Sequence, residues 1–176
     1  MSWGELLQRE IDYTYAMTEK LLNEVDDDTL NWKPSADNNW MTTAQVLMHI
    51  TNACGATFKG FVTGDWGMPE GMDASDLSME DMLPSAEKMP LVGSVAEAKK
   101  LLAEDKQLAI DMLAKITEDD LVSKPAPAPW DPRPMKLGHR LLGMIGHLTA
   151  HKSQLFYYLK LQGKPVNTGH LWGGHE

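Results

Sequence analysis

Cysteine is almost missing from this chain: Cys54 is the single one in 176 residues. That excludes an internal disulfide framework and fits a reducing compartment. Long apolar runs are missing as well, and none approaches the roughly 18 residues that a membrane span requires. The opening MSWGELLQRE has no basic region followed by an apolar one, so no secretory leader is expected there. Basic clusters are the third absence. Lys and Arg number 16 against 25 Asp and Glu, for a formal charge of −9. Nucleic acid and anionic membrane surfaces are therefore disfavoured partners, because both are bound through basic patches. The expectation is a cytoplasmic protein with neither partner.

Hydrophobic residues make up 43% of the chain, enough for the core of a single domain over residues 1–176. Apolar positions at three- and four-residue steps predict a first helix over 3–25, opened by Ser2 with Glu5 three residues on, a capping-box pattern. A second helix is predicted from Thr42 or Thr43 to about Phe61, with His49 beside the small residues Ala53, Ala56 and Gly60. Residues 62–93 are rich in Gly, Pro, Asp and Met and read as a long crossover or a lid, with one helical turn near Ser78 to Leu83. Ser94 with Glu97 opens a third helix to Ile116 that carries no histidine, cysteine or tyrosine and reads as a structural wall. Five prolines between 117 and 136 disfavour helix there. A fourth helix runs from about Leu137 to Leu161, stopped by Gly163 and Pro165. Cys54, inside a helical pattern, reads as a buried inert thiol.

One internal echo is visible. Asp27-Asp28-Thr29-Leu30-Asn31-Trp32-Lys33-Pro34 resembles Glu118-Asp119-Asp120-Leu121-Val122-Ser123-Lys124-Pro125, and each segment precedes a tryptophan and a histidine-bearing helix. If the echo reflects a repeated connector–helix unit, it brings His49 and His147 towards one axis.

Chemistry concentrates in three of the six histidines. His147 and His151 stand four residues apart, which on a helix is a rotation of about 40°, so both rings leave one face. A third imidazole, His49, lies on a separate helix. Three neutral histidines grouped in an apolar bundle lose hydration without gaining a partner, a conflict that a divalent ion removes. Three protein nitrogens leave a coordination position open, as in catalytic rather than closed structural sites. Zinc, nickel or another imidazole-binding divalent ion suits the set. Leu148 stands where the HExxH motif of zinc proteases needs glutamate, so that general base is missing. Gln154 shares the histidine face and reads either as a partner of the site or as a boundary glutamine. Tyr158 falls one turn below, lining the cavity or packing. Arg140, two turns above, faces an anionic group or solvent. His139 reads as a first-turn or outer group. His170 and His175 lie in a glycine-rich tail expected to be mobile. Loop acids Asp65, Glu70 and Asp131 could reach the site, but no pattern singles one out as a base.

The lone His49 after Trp40, the HxxxHxxQ of His147, His151 and Gln154, and the connector Leu30-Asn31-Trp32-Lys33-Pro34 together resemble the DinB/YfiT-like superfamily of metal-dependent enzymes, over nearly the whole chain. The resemblance implies an all-α, up-down-down-up four-helix bundle with a long crossover between the second and third helices. It also implies a divalent metal held by His49, His147 and His151, and frequently a homodimer. It implies small-molecule chemistry: transfer of a low-molecular-weight thiol or a related hydrolysis, or else a non-catalytic metal- or ligand-binding stress protein. The glycine-rich tail and the acidic, Met-rich crossover depart from the family pattern and leave the substrate open.

Overall fold

The computed structural model describes residues 1–37, 39–68, 71, 78–82 and 84–173. Among these, all regular structure is helical apart from two isolated bridges, Pro125 with Lys136 and Ala128 with Asp131. The helices are α1 (Trp3–Leu22), α2 (Thr43–Ile50), α3 (Gly55–Thr63), α4 (Met79–Met82), α5 (Val95–Leu113), α6 (Glu118–Ser123), α7 (Leu137–Leu161) and α8 (Thr168–Trp172). No helix is long and apolar enough to cross a membrane among the described residues. Helix α1 packs on α5 and α7, α3 packs on α5, and α2 packs on α7. One continuous core joins them, with Leu7, Ile11, Leu21, Leu47, Ile50, Phe58, Leu102, Leu141, Leu148 and Leu159 buried in it.

Capping residues set several starts. Ser2 accepts from the Glu5 N–H while Glu5 accepts from the Ser2 N–H, and Thr42 with Gln45 does the same for α2. At α5, Ser94 accepts from the Glu97 N–H as the pattern predicts, but Glu97 reaches one residue further, to the Gly93 N–H. Two caps come from distant connectors. The Asp27 carboxylate accepts from the Val95 N–H at 2.7 Å, at the start of α5. The Glu118 carboxylate accepts from the Trp3 and Gly4 N–H groups at 3.0 and 2.7 Å, at the start of α1. Asp27 and Glu118 are the first residues of the two echoed segments, so each segment caps the helix that begins the opposite half of the chain.

The structure departs from expectation in three places. The second helix is broken over Thr51–Cys54 into α2 and α3. The cause lies on α5, where Asp105, 5% exposed, accepts from the Gly55 and Ala56 N–H groups at 3.0 and 2.9 Å and from the Tyr15 hydroxyl at 2.6 Å. A buried carboxylate thus supplies the N-terminal cap that a new helix start requires. The approach is so close that a Cβ on Gly55 would lie 2.0 Å from the Asp105 carbonyl oxygen. Helix α5 is therefore more than a wall. Second, α6 forms inside the proline-rich connector, because Thr117 and Asp120 make a capping box ahead of the first proline. Third, the described part of the tail is ordered. Asn167 caps α8, the Tyr13 hydroxyl donates to the Trp172 carbonyl, and buried Lys152 donates to the Leu171 carbonyl beneath the Trp172 ring. The small residue Gly60 makes room for the Trp66 ring rather than for His49.

Asp105→Ala removes the acceptor for two buried N–H groups and the Tyr15 hydroxyl, and should cost roughly 3–5 kcal/mol. Asp105→Asn keeps one acceptor and should cost about 1–2 kcal/mol. Urea denaturation of the two variants measures both; equal, small losses would remove Asp105 as the cause of the break.

Candidate metal centre

His49 sits in the last turn of α2, and His147 and His151 sit one turn apart on α7. All three rings are half-buried. Their Nε2 atoms converge: His147 Nε2 lies 3.1 Å from His49 Nε2 and 3.0 Å from His151 Nε2. One ligand atom from each falls within 4.8 Å of the others.

The polarity of the surrounding hydrogen bonds fixes what the His151 nitrogens carry. The Tyr158 hydroxyl lies 2.9 Å from the Met41 carbonyl oxygen, which can only accept, so the hydroxyl donates. Its oxygen then accepts from the Gln154 amide nitrogen at 3.3 Å. That orients the Gln154 carbonyl towards His151 Nδ1, 2.8 Å away, and Nδ1 must carry the ring proton. His151 Nε2 is left as a bare lone pair. The backbone of Ala53, in the break between α2 and α3, acts on the His147 ring in the sense that favours its protonated form. His147 Nε2 lies 3.0 Å from the bare His151 nitrogen.

Nitrogens at this spacing are bridged by a ring proton or by a cation, and uptake of a further proton is disfavoured. Burial, then His151 and His147, pushes His49 down to about 4. Burial and then His151 push His147 below the ordinary imidazole value, and burial does the same to His151. A divalent ion fits instead. Neighbouring ligands on bonds of about 2.1 Å are separated by about 3.0 Å in an octahedral site and about 3.4 Å in a tetrahedral one. The observed 3.0 and 3.1 Å match that range. Three nearby histidines could therefore hold a metal ion, with the unused ring nitrogen of His151 held by a hydrogen bond in the manner of metal-site histidines.

The structure brings Gln154 and Tyr158 to this cluster but does not bring Arg140. The Arg140 guanidinium is buried and spent on the 126–133 loop, donating to the carbonyls of Ala126, Asp131 and Arg133 and to the Asp131 carboxylate. It faces neither the cluster nor solvent, because those acceptors take four of its five N–H groups and the side chain is buried. Arg133, and then Arg140, hold Asp131 far below the usual carboxylate range. Asp65 pairs with Lys59 at 2.6 Å. His139 is exposed and packs its edge on Trp3, and His170 accepts from the Asn167 N–H. His175 and Glu70 lie outside the described residues. Burial pushes the Cys54 thiol up, in keeping with an inert role.

Sequence reasoning missed the Met41 carbonyl that, through Tyr158 and Gln154, sets the His151 tautomer; backbone groups leave no mark in a residue pattern. It also missed Gln45, whose amide donates to the carbonyls of Ala86 and Met89 at 2.8 and 2.9 Å and ties the crossover to α2. That tie closes a cavity of about 530 Å³ beside the cluster, lined by Trp40, Met41, His49, Met82, Met89 and Gln154 among others.

The lowered histidine pKa values have a definite sign. In the unfolded chain an imidazole takes up its proton near 6.5, while folded His49 resists protonation to about 4. The stability contributed by the neutral cluster is full above 6.5 and is lost as pH falls towards 4. The melting temperature of metal-free protein should fall over that interval, and less steeply in His49→Phe. A flat profile in the parent chain would contradict the assignment.

No curated protein and no solved structure matches the chain. A family profile described as the DinB superfamily matches residues 10–155, which include His49, His147, His151 and Gln154. With most of its length matched, the chain belongs to the DinB superfamily.

Proposed function

We propose that the chain is a metal-dependent enzyme acting on small molecules, with His49, His147 and His151 as ligands of one divalent ion, zinc or nickel. The observation that carries this reading is the convergence of three imidazole nitrogens, with His147 Nε2 at 3.1 Å from His49 Nε2 and 3.0 Å from His151 Nε2, beside a substrate-sized cavity. An ion held there would lower the pKa of a bound thiol or water. Tyr158 and Gln154 orient His151, and the cavity positions the second reactant.

Thiol transfer is favoured over hydrolysis by one observation. Among the described residues, no carboxylate lines the cavity, so no side chain there is placed to take a proton from water. A thiol ionises far more readily and needs no such base. The reaction is then R–SH + R′–X → R–S–R′ + HX: the S–H proton leaves to solvent, the S–C bond forms, and the leaving group departs with the bonding pair. A hydrolase is the variant with water as nucleophile. The absence of a carboxylate among the described walls also suits a second reading, a stress protein that binds metal or ligand without turnover. The up-down-down-up order of four long helical units belongs to the same proposal, supported by the long crossover between α3 and α5. So does a homodimer, which would be sought at exposed Tyr157 and Leu161 on α7.

Protein purified without a histidine tag should carry one zinc or nickel ion per chain by elemental analysis, and His147→Ala should carry none. Zinc-loaded protein should accelerate transfer of a small thiol to an aryl chloride, and the variant should lose that rate together with its metal. Metal without turnover on any thiol favours the binding protein; near-zero metal in both chains removes both readings.

The outer hydrogen bonds should matter separately. Gln154→Leu removes the acceptor that fixes the His151 tautomer, and Tyr158→Phe removes the donor that orients Gln154. The first should weaken zinc binding by about 10–100-fold, the second by less. Competitive chelator titration measures both, and unchanged affinity in Gln154→Leu would remove its role.

A further inference from the structure

The cavity beside the histidines has a composition that selects among substrates. Its described walls are Asn39, Trp40 and Met41 from the connector before α2, His49 and Gln154 from the cluster, and Met82, Pro84, Ala86, Met89 and Pro90 from the crossover. No Lys or Arg is among them. The basic residues nearest in sequence are engaged elsewhere: Lys88 pairs with Glu80 at 2.6 Å, and Lys33 donates to the Asp37 carbonyl at 3.1 Å. The Gln154 amide is already bonded at both its oxygen and its nitrogen. Apart from the Asn39 amide, what the walls offer is thioether sulfur, proline and alanine faces and an indole. These surfaces favour the edges and faces of aromatic rings.

We propose that this cavity takes a small molecule with a single metal-directed donor group and an uncharged, apolar body, preferably aromatic. The inference rests on the metal reading above, since the ion is the one positive charge a ligand would meet. An anionic group at the histidine end is matched by that ion. A second anion carried on the body must shed water against described walls that carry no cation, which is costly. Substrates bearing two or more separated carboxylates or phosphates are thereby discriminated against, and polar thiols with acidic side groups fall in that class. The discrimination comes from the unpaired group rather than from any added contact to the preferred ligand.

Cinnamate and p-carboxycinnamate test this directly. Both present one carboxylate to the ion, and they differ only in a second charge at the far end of the ring. By isothermal titration calorimetry, zinc-loaded protein should bind cinnamate at least about tenfold more tightly, a difference of about 1.4 kcal/mol. Met89→Arg adds a cation to the wall and should erase or reverse the preference while zinc content stays unchanged. Met82→Arg carries the same expectation should Met89→Arg fail to fold. Zinc-loaded protein that binds both ligands equally, or neither, overturns the inference and leaves the metal reading standing. Protein that takes up no zinc overturns the metal reading and the inference with it.

Discussion

A backbone carbonyl cannot donate, and from that single fact much of the site follows. Because Met41 accepts from Tyr158, the hydroxyl accepts in turn, the Gln154 amide has one orientation, and His151 has one tautomer. Nothing in the chain of bonds is free to invert without leaving a buried polar atom unpaired. The chain of bonds thus turns the His151 lone pair towards the nitrogens of His147 and His49 with no ion needed to arrange it.

The contact of Ala53 with His147 depends on a break that the local sequence does not encode. Residues 43–63 contain no proline and could run as one helix. Asp105, some fifty positions away on α5, stops them by offering a better acceptor to Gly55 and Ala56 than an intact turn would. A buried anion in the core of α1, α3 and α5 therefore shapes the site on α2 and α7. Gln45 performs the corresponding task for the cavity, holding the crossover wall against α2 through two carbonyls.

What the sequence shows and what it hides divide along that line. The histidine spacing, the Ser2 and Thr42 starts and the Gly163 stop are local signals, and they place α1, α7 and the three imidazoles. Helices α6 and α8 were also locally encoded, through Thr117 with Asp120 and through Asn167. Proline and glycine content masked them, because short capped turns contribute little periodicity. The α2–α3 break, the commitment of Arg140 to the 126–133 loop and the orienting Met41 carbonyl are long-range, and no residue pattern displays them. Arg140 misleads for a physical reason. Its helix position points it into the interior, but the loop after α6 supplies acceptors for four of its five N–H groups.

The caps supplied by Asp27 and Glu118 carry a consequence for how the molecule comes apart. Each acid belongs to one half of the chain and closes the exposed helix end of the other, so neither half is complete by itself. Fraying of the first connector uncaps α5, and fraying of the second uncaps α1. Local openings on either side are thereby penalised on both, which couples the halves into one unfolding unit. A pair of histidines on α7 and a single histidine on α2 are held together by that mutual dependence. The three histidines share the fate of the whole fold rather than that of the helices on which they stand.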